Sequence, residues 1–303
     1  MLANRQRFAH RRAAKSTERP PVTDTLQIVR TPQALTDAME AWKRAGHRVA
    51  FVPTMGALHA GHLALVTEGL KRADKVAASI FVNPKQFGPT EDLDRYPRDE
   101  AGDAEKLRAA GCELLYAPSV ATMYPPGFAS YVRVAALPDL LCGAARPGHF
   151  DGVATVVSKL LAAARADVAV FGEKDWQQLA IIRRMVADLD LGTEIIGAAI
   201  VRDGDGLALS SRNLYLAPDE RLRAVALPQA LARAREALRA GGDVAPALAA
   251  AERRIAAAGF ARIDYFELVD GDRLTPLRAV TPGARLMAAA VMGTTRLIDN
   301  LAV

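Results

Sequence analysis

From about residue 26 to residue 201 the chain alternates between short apolar runs and stretches with helical spacing. The apolar runs at 48–53, 75–83, 113–117, 167–171 and 194–201 predict strands. The intervening patterns predict helices over 61–73, 99–110, 152–165 and 175–189. The strand runs are apolar at consecutive positions rather than alternate ones, which is what burial on both faces requires. Strands of that kind separated by helices predict a parallel sheet covered on each side, a doubly wound, Rossmann-like α/β domain. Ligands of such a sheet bind beyond the carboxyl ends of its strands. After residue 202 the texture changes. Residues 218–258 are rich in Ala and Arg and carry two helical patterns separated by Gly241-Gly242-Asp243, and strand candidates follow at 263–269, 285–291 and 295–298. The expected organisation is a tail over 1–21, a Rossmann-like domain over 22–201 and a smaller α+β lid domain over 202–303.

Charge changes this picture less than it first suggests. The formal net charge is +5, yet residues 1–20 hold Arg5, Arg7, Arg11, Arg12, Lys15 and Arg19 against Glu18, so the tail carries the whole surplus. The body is formally neutral and offers no footprint for a nucleic-acid backbone, so no nucleic-acid partner is expected. The tail lacks the apolar segment of a secretory signal and reads as a disordered extension rather than a transit peptide. No run approaches the roughly 18 apolar residues of a membrane span, and a cytoplasmic location with no membrane partner is expected. Two cysteines, Cys112 and Cys142, stand without a CxxC spacing and read as reduced, buried filler.

Candidate chemistry gathers at the predicted strand ends. Met55-Gly56-Ala57-Leu58-His59-Ala60-Gly61-His62 runs from a strand into a helix. Its glycines let backbone approach a ligand, and a helix beginning near Gly61 would aim free N–H groups at an anion. Two imidazoles at that spot suit a triphosphate, where they can stabilise charge developing at phosphorus. A metal half-site lacks its third ligand. Asn83 and Gln86 end the second strand and offer amides. Arg146 and His149 sit in a Pro-Gly loop and could hold an anion. Gly172-Glu173-Lys174-Asp175 ends another strand, with Lys174 able to reach a phosphate and Asp175 a ribose hydroxyl. Leu209-Ser210-Ser211-Arg212, at the expected domain junction, suits a mobile phosphate clamp.

In this order and spacing, the runs PTMGALHAGH (53–62), FVNPKQF (81–87), RPGHFDGVATVVSKL (146–160), GEKDWQQL (172–179) and SSRN (210–213) resemble the pantothenate synthetase family, part of the HIGH-motif nucleotidyl-transferring superfamily. The resemblance covers roughly residues 26–300. It implies a two-domain homodimeric ligase that uses ATP and Mg²⁺ to join pantoate to β-alanine through a pantoyl adenylate. It further implies that Met55–His62, Gly172–Asp175, the Val201 backbone and Leu209–Arg212 hold ATP, and that Gln86 and Gln178 hold pantoate with Asn83 and Arg146 in support. His59, His62, Lys174, Ser210, Ser211 and Arg212 would act on the transferring phosphate, His62 as a proton donor, and Asp103 would touch the metal. The family often has Met before the Ser-Ser pair where this chain has Leu209, an apolar exchange of similar volume. Other HIGH-motif transferases leave the Gln86 and Gln178 pair unexplained. A tRNA synthetase would be longer and more basic.

Overall fold

A computed structural model describes residues 25–89 and 91–303, and the predicted basic tail lies outside the described residues. The chain runs β1 (Gln27–Val29), α1 (Pro32–Arg44), β2 (Val49–Thr54), α2 (Ala60–Arg72), β3 (Lys75–Ile80), α3 (Glu100–Ala109), β4 (Leu114–Tyr116), α4 (Val120–Met123), α5 (Leu141–Ala145), α6 (His149–Ala164), β5 (Val168–Gly172), α7 (Trp176–Asp188) and β6 (Glu194–Ala198). It continues with α8 (Pro218–Arg223), α9 (Ala226–Arg239), α10 (Val244–Ala257), β7 (Arg262–Asp270), β8 (Ala284–Met292) and β9 (Thr295–Ala302).

β1 to β6 form one parallel sheet in the order β1-β4-β3-β2-β5-β6. The period-2 pleat sorts each strand onto two cores. Val49 and Phe51 of β2, with Ala169 and Phe171 of β5, face α1, α6 and α7. Ala50 and Val52, with Val168 and Val170, face α2 and α3. Fully burying a side chain such as Phe51 stabilises the fold by about 1.5–3 kcal/mol. The chain winds outward from β2 through β3 and β4, then returns to place β5 on the other side of β2. The direction of winding therefore reverses between β2 and β5, and a crevice opens there at the strands' carboxyl ends.

β7, β8 and β9 form a separate antiparallel sheet. One of its faces, with Phe266, Leu286 and Ala288, packs on α9 and α10. The other, with Tyr265, Met287 and Ala289, joins the core built around α6 and α7.

The structure adds elements to the sequence expectation, among them β1, α1, α4 and α5, and ends some of the expected strands early. β1 and α1 were not predicted, although Thr31 accepts from the Ala34 N–H at 3.2 Å and Pro32 occupies the first turn, a legible helix start. The strand expected over 75–83 stops at Ile80, because Asn83-Pro84 opens a 3₁₀ turn over Pro84–Gln86. The strand expected to reach 201 stops at Ala198.

Candidate active site

Strands β2 and β5 deliver their carboxyl ends to a cavity of about 740 Å³, closed on its far side by β7–β9. The loop leaving β2 is held from behind. Thr54 Oγ1 donates to Ser79 O (2.7 Å) and accepts from Gly56 N (3.2 Å). Gly56 takes φ +83°, and a Cβ there would press on Asp103 Oδ2 and Ile80 Cγ2 at 3.1 Å. Asp103, 1% exposed, accepts from Leu58 N at 2.9 Å and pairs with Lys106 at 3.0 Å. The carboxylate expected to touch a metal therefore lies behind the loop and fastens it. Gly56, Ala57, Leu58 and Ala60 likewise form the loop's frame rather than the cavity lining, while Met55, His59, Gly61 and His62 line it.

At the start of α2 the two histidines cap the helix reciprocally. Gly61 N donates to His59 Nδ1 (3.1 Å), and His59 N donates to His62 Nδ1 (3.3 Å). A backbone N–H can only donate, so both Nδ1 atoms are acceptors and each neutral ring carries its proton on Nε2. The rings lie 4.2 Å apart. Burial, with Lys174 and Lys106 nearby, lowers the pKa of His59. Burial and the His59 ring push His62 down to about 3. At neutral pH the pair is thus two neutral Nε2–H donors at a helix N-terminus, a site that favours anions. A neutral imidazole donates a hydrogen bond and retains its proton.

Lys174 lines the cavity with Gly172 and Asp175 and makes no ion pair among the described residues. Glu173 turns away, toward Arg285 at 3.8 Å. Leu209, Ser210, Ser211 and Arg212 line the facing wall. Ser210 Oγ accepts from Arg212 N (3.2 Å), and Arg212 pairs with Asp92 (3.1 Å). Val201 is also in the lining, and its carbonyl accepts from Leu209 N at 3.0 Å.

A polar corner adjoins this anionic cradle. Asn83, 1% exposed, donates to Gln86 Oε1 (3.0 Å) and Gly152 O (3.1 Å) and accepts from Tyr124 Oη (2.7 Å). Its amide is saturated, so it orients Gln86 instead of offering a free group. Arg146 pairs with Glu91 through Nε (2.8 Å) and approaches His149 Nε2 (3.1 Å). His149 Nδ1 lies 2.8 Å from Gln86 O, a carbonyl that can only accept, so Nδ1 carries the proton. Gln178 lines the cavity without a hydrogen bond among the described residues. Its neighbour Gln177 is spent on Cys142 N, Leu137 O and Leu140 O.

The family of pantoate-beta-alanine ligases matches residues 27–302 of this sequence. The chain belongs to that family. It is 58% identical to the pantothenate synthetase of Rhizorhabdus wittichii, over 92% of this chain and 99% of that protein. It is 55% identical to that of Myxococcus xanthus, over 90% and 95%. The crystal structure of pantothenate synthetase from Thermus thermophilus superposes with a TM-score of 0.86 at 48% identity, covering 91% of this chain and 99% of that one. The pantoate-beta-alanine ligase of Francisella tularensis, crystallised with beta-gamma ATP and β-alanine, gives 0.77 at 31% identity, covering 92% and 98%.

The ligase's cavity has lining residues that sequence reasoning missed. Glu91, Asp92 and Tyr96 line the cavity from the segment between the 3₁₀ turn and α3, and tie it to Arg146, Arg212 and Ser211. The signal was a long polar loop leaving a strand's carboxyl end. Asp264, Tyr265 and Arg296 reach the cavity from the second sheet, where nothing local in sequence marks them. Cys142 is buried and reduced as expected, yet it is more than filler: its Sγ lies 2.9 Å from Tyr265 Oη and accepts from Arg296 at 3.4 Å.

The buried imidazoles make stability depend on pH. Burial, with Arg146 adjacent, lowers His149 to about 4. In the unfolded chain these histidines titrate near 6.5. Between that value and about 4 the unfolded state binds more protons, so unfolding becomes easier as pH falls. The denaturant midpoint of the ligand-free ligase is expected to drop between pH 7 and pH 5, above the range where carboxylates titrate. A midpoint that stays level across that window would show that the imidazoles charge freely in the fold.

Proposed function

We propose that the enzyme condenses pantoate with β-alanine in two steps through a pantoyl adenylate, releasing pyrophosphate and then AMP. The observation that carries this reading is the pair of neutral Nε2–H donors at the start of α2, in one cavity with the Lys174 ammonium, which has no ion pair among the described residues, and the Gln86–Gln178 corner. ATP lies along the β2–β5 crevice, its phosphates at α2 and its ribose near Asp175. Val201 has committed its carbonyl to Leu209 and presents its backbone to the adenine. Gln86 and Gln178 hold pantoate, whose carboxylate oxygen attacks the α-phosphorus as the bond to the β-phosphate oxygen breaks. Charge grows on the phosphate oxygens, and His59, His62, Lys174 and the Ser210–Arg212 segment are fixed donors toward it. The β-alanine amine then attacks the acyl carbon, loses a proton and expels AMP. Enclosure protects the acyl group from water.

No group of three or more His, Cys, Asp or Glu side chains among the described residues is arranged to hold a metal, and Asp103 stands behind the loop with its Oδ1 bonded to Leu58 N and Lys106. Mg²⁺ then enters with the nucleotide, on its phosphate oxygens. We also assign residues 22–201 to the ATP- and pantoate-binding domain and 202–303 to the lid. The working form is taken as a homodimer in the cytoplasm, and no helix among the described residues is long and apolar enough to cross a membrane.

The test is AMP release from ATP and Mg²⁺ with each acid added or omitted. AMP that requires both acids, with pantothenate formed alongside, is expected; turnover indifferent to pantoate would refute the assignment. Gln178→Ala is expected to raise the pantoate KM roughly 10- to 100-fold, the loss of one hydrogen bond to a charged ligand, with the ATP KM unchanged. An effect confined to ATP would move Gln178 out of the pantoate corner.

A further inference from the structure

The second sheet reaches into the nucleotide site through two consecutive residues of its edge strand β9. Asn300 is 1% exposed, and its Nδ2 donates to Glu173 O and Lys174 O, both at 2.9 Å. Its Oδ1 accepts from Arg285, whose guanidinium lies 3.4 Å from the centre of the Trp176 ring. One amide thus spends both its hydrogens on the backbone of the turn that carries Lys174. Asp299, 3% exposed, pairs with Arg202 at 2.7 and 2.8 Å and accepts from Asn300 N at 2.7 Å. Arg202 follows Val201. Side chains of consecutive strand residues point in opposite directions, so Asp299 and Asn300 grip the two nucleotide-lining segments from a single point.

The Lys174 side chain makes no ion pair among the described residues, so its ammonium is placed by its backbone and rotamer. That backbone is held from the second sheet by the two bonds from Asn300. We propose that Asn300 is a positioning residue for Lys174: the second sheet sets where the lysine stands against the phosphates. Asp299 does the same for the segment at Val201. This inference rests on the phosphate role given to Lys174 above. Displacing a charged group by about 1 Å can cost up to roughly a hundredfold in rate. Gln86, on the pantoate side, has no such link to β9: it is held by Asn83, and His149 lies against its carbonyl.

The experiment is a double-mutant cycle on pyrophosphate release, followed in single turnover at saturating ATP, Mg²⁺ and pantoate. Asn300→Ala is expected to slow the step about 10- to 50-fold in the wild-type background and less than about 3-fold in a Lys174→Ala background. Asn300→Asp is measured alongside: it keeps the shape and the acceptor for Arg285 and removes both donors, so it carries the cycle if the alanine variant does not fold. Equal losses in the two backgrounds would mean that Asn300 acts on the fold at large, and the proposal falls. It also falls if Lys174→Ala is slow while both Asn300 variants run at full rate. A Lys174→Ala enzyme at full rate would instead remove the phosphate role itself, and this inference with it.

Discussion

Lys174→Ala is expected to lower the rate of adenylate formation by about a hundred- to a thousandfold, the usual cost of removing one fixed electrostatic stabiliser from a reacting phosphate. Three other cations of the cavity are already matched, Arg146 by Glu91, Arg212 by Asp92 and Arg296 by Asp264, whereas Arg95, like Lys174, makes no ion pair among the described residues. Lys174 has no such partner among the described residues, so its charge is available to the incoming phosphates. It also helps to keep both imidazoles neutral by lowering their pKa. Its removal should therefore reduce kcat far more than it raises the pantoate KM. Pyrophosphate release in a single turnover measures this directly, and an unchanged rate would take Lys174 out of the mechanism.

Gly152→Ala should damage the pantoate corner from the far side. In an ordinary helix interior this exchange favours folding by about 0.5–1 kcal/mol. Here a Cβ would stand 2.2 Å from Lys85 O and 2.8 Å from Gln86 N, both backbone atoms of the 3₁₀ turn. Overpacking of that kind costs about 1–3 kcal/mol, so the contact outweighs the propensity. The turn must shift, carrying Gln86 with it, and Gly152 O would lose its alignment with Asn83 Nδ2. We expect a lower denaturant midpoint and a pantoate KM raised tenfold or more, with the ATP KM nearly unchanged. A variant more stable than the parent with an unaltered pantoate KM would contradict this packing.

These effects separate what is local from what is not. Strands β2, β3 and β5 were legible because burial on both faces leaves consecutive apolar residues, a signal independent of partners. β1 was not, because a three-residue edge strand gives too short a pattern to stand out from a loop. The histidine pair was legible as a candidate because its glycines and its place between strand and helix are sequence features. Its protonation was not, since a tautomer depends on which N–H points at which ring nitrogen. Asp103 shows the same limit. In sequence it is an acidic residue early in a helix, and only the fold shows its Oδ1 accepting from a backbone amide 45 positions away while its Oδ2 is buried without a hydrogen bond among the described residues.

By itself the sequence determined the alternation of strands and helices, the location of the charge surplus in the tail, and the motifs that mark the site, because each depends on residue type and near spacing. The tertiary structure alone decided that the winding reverses between β2 and β5, that Asn83 and Asp103 position loops, and that Asn300 holds the turn bearing Lys174. Those outcomes depend on contacts between groups far apart along the chain, whose partners meet only once the chain has folded.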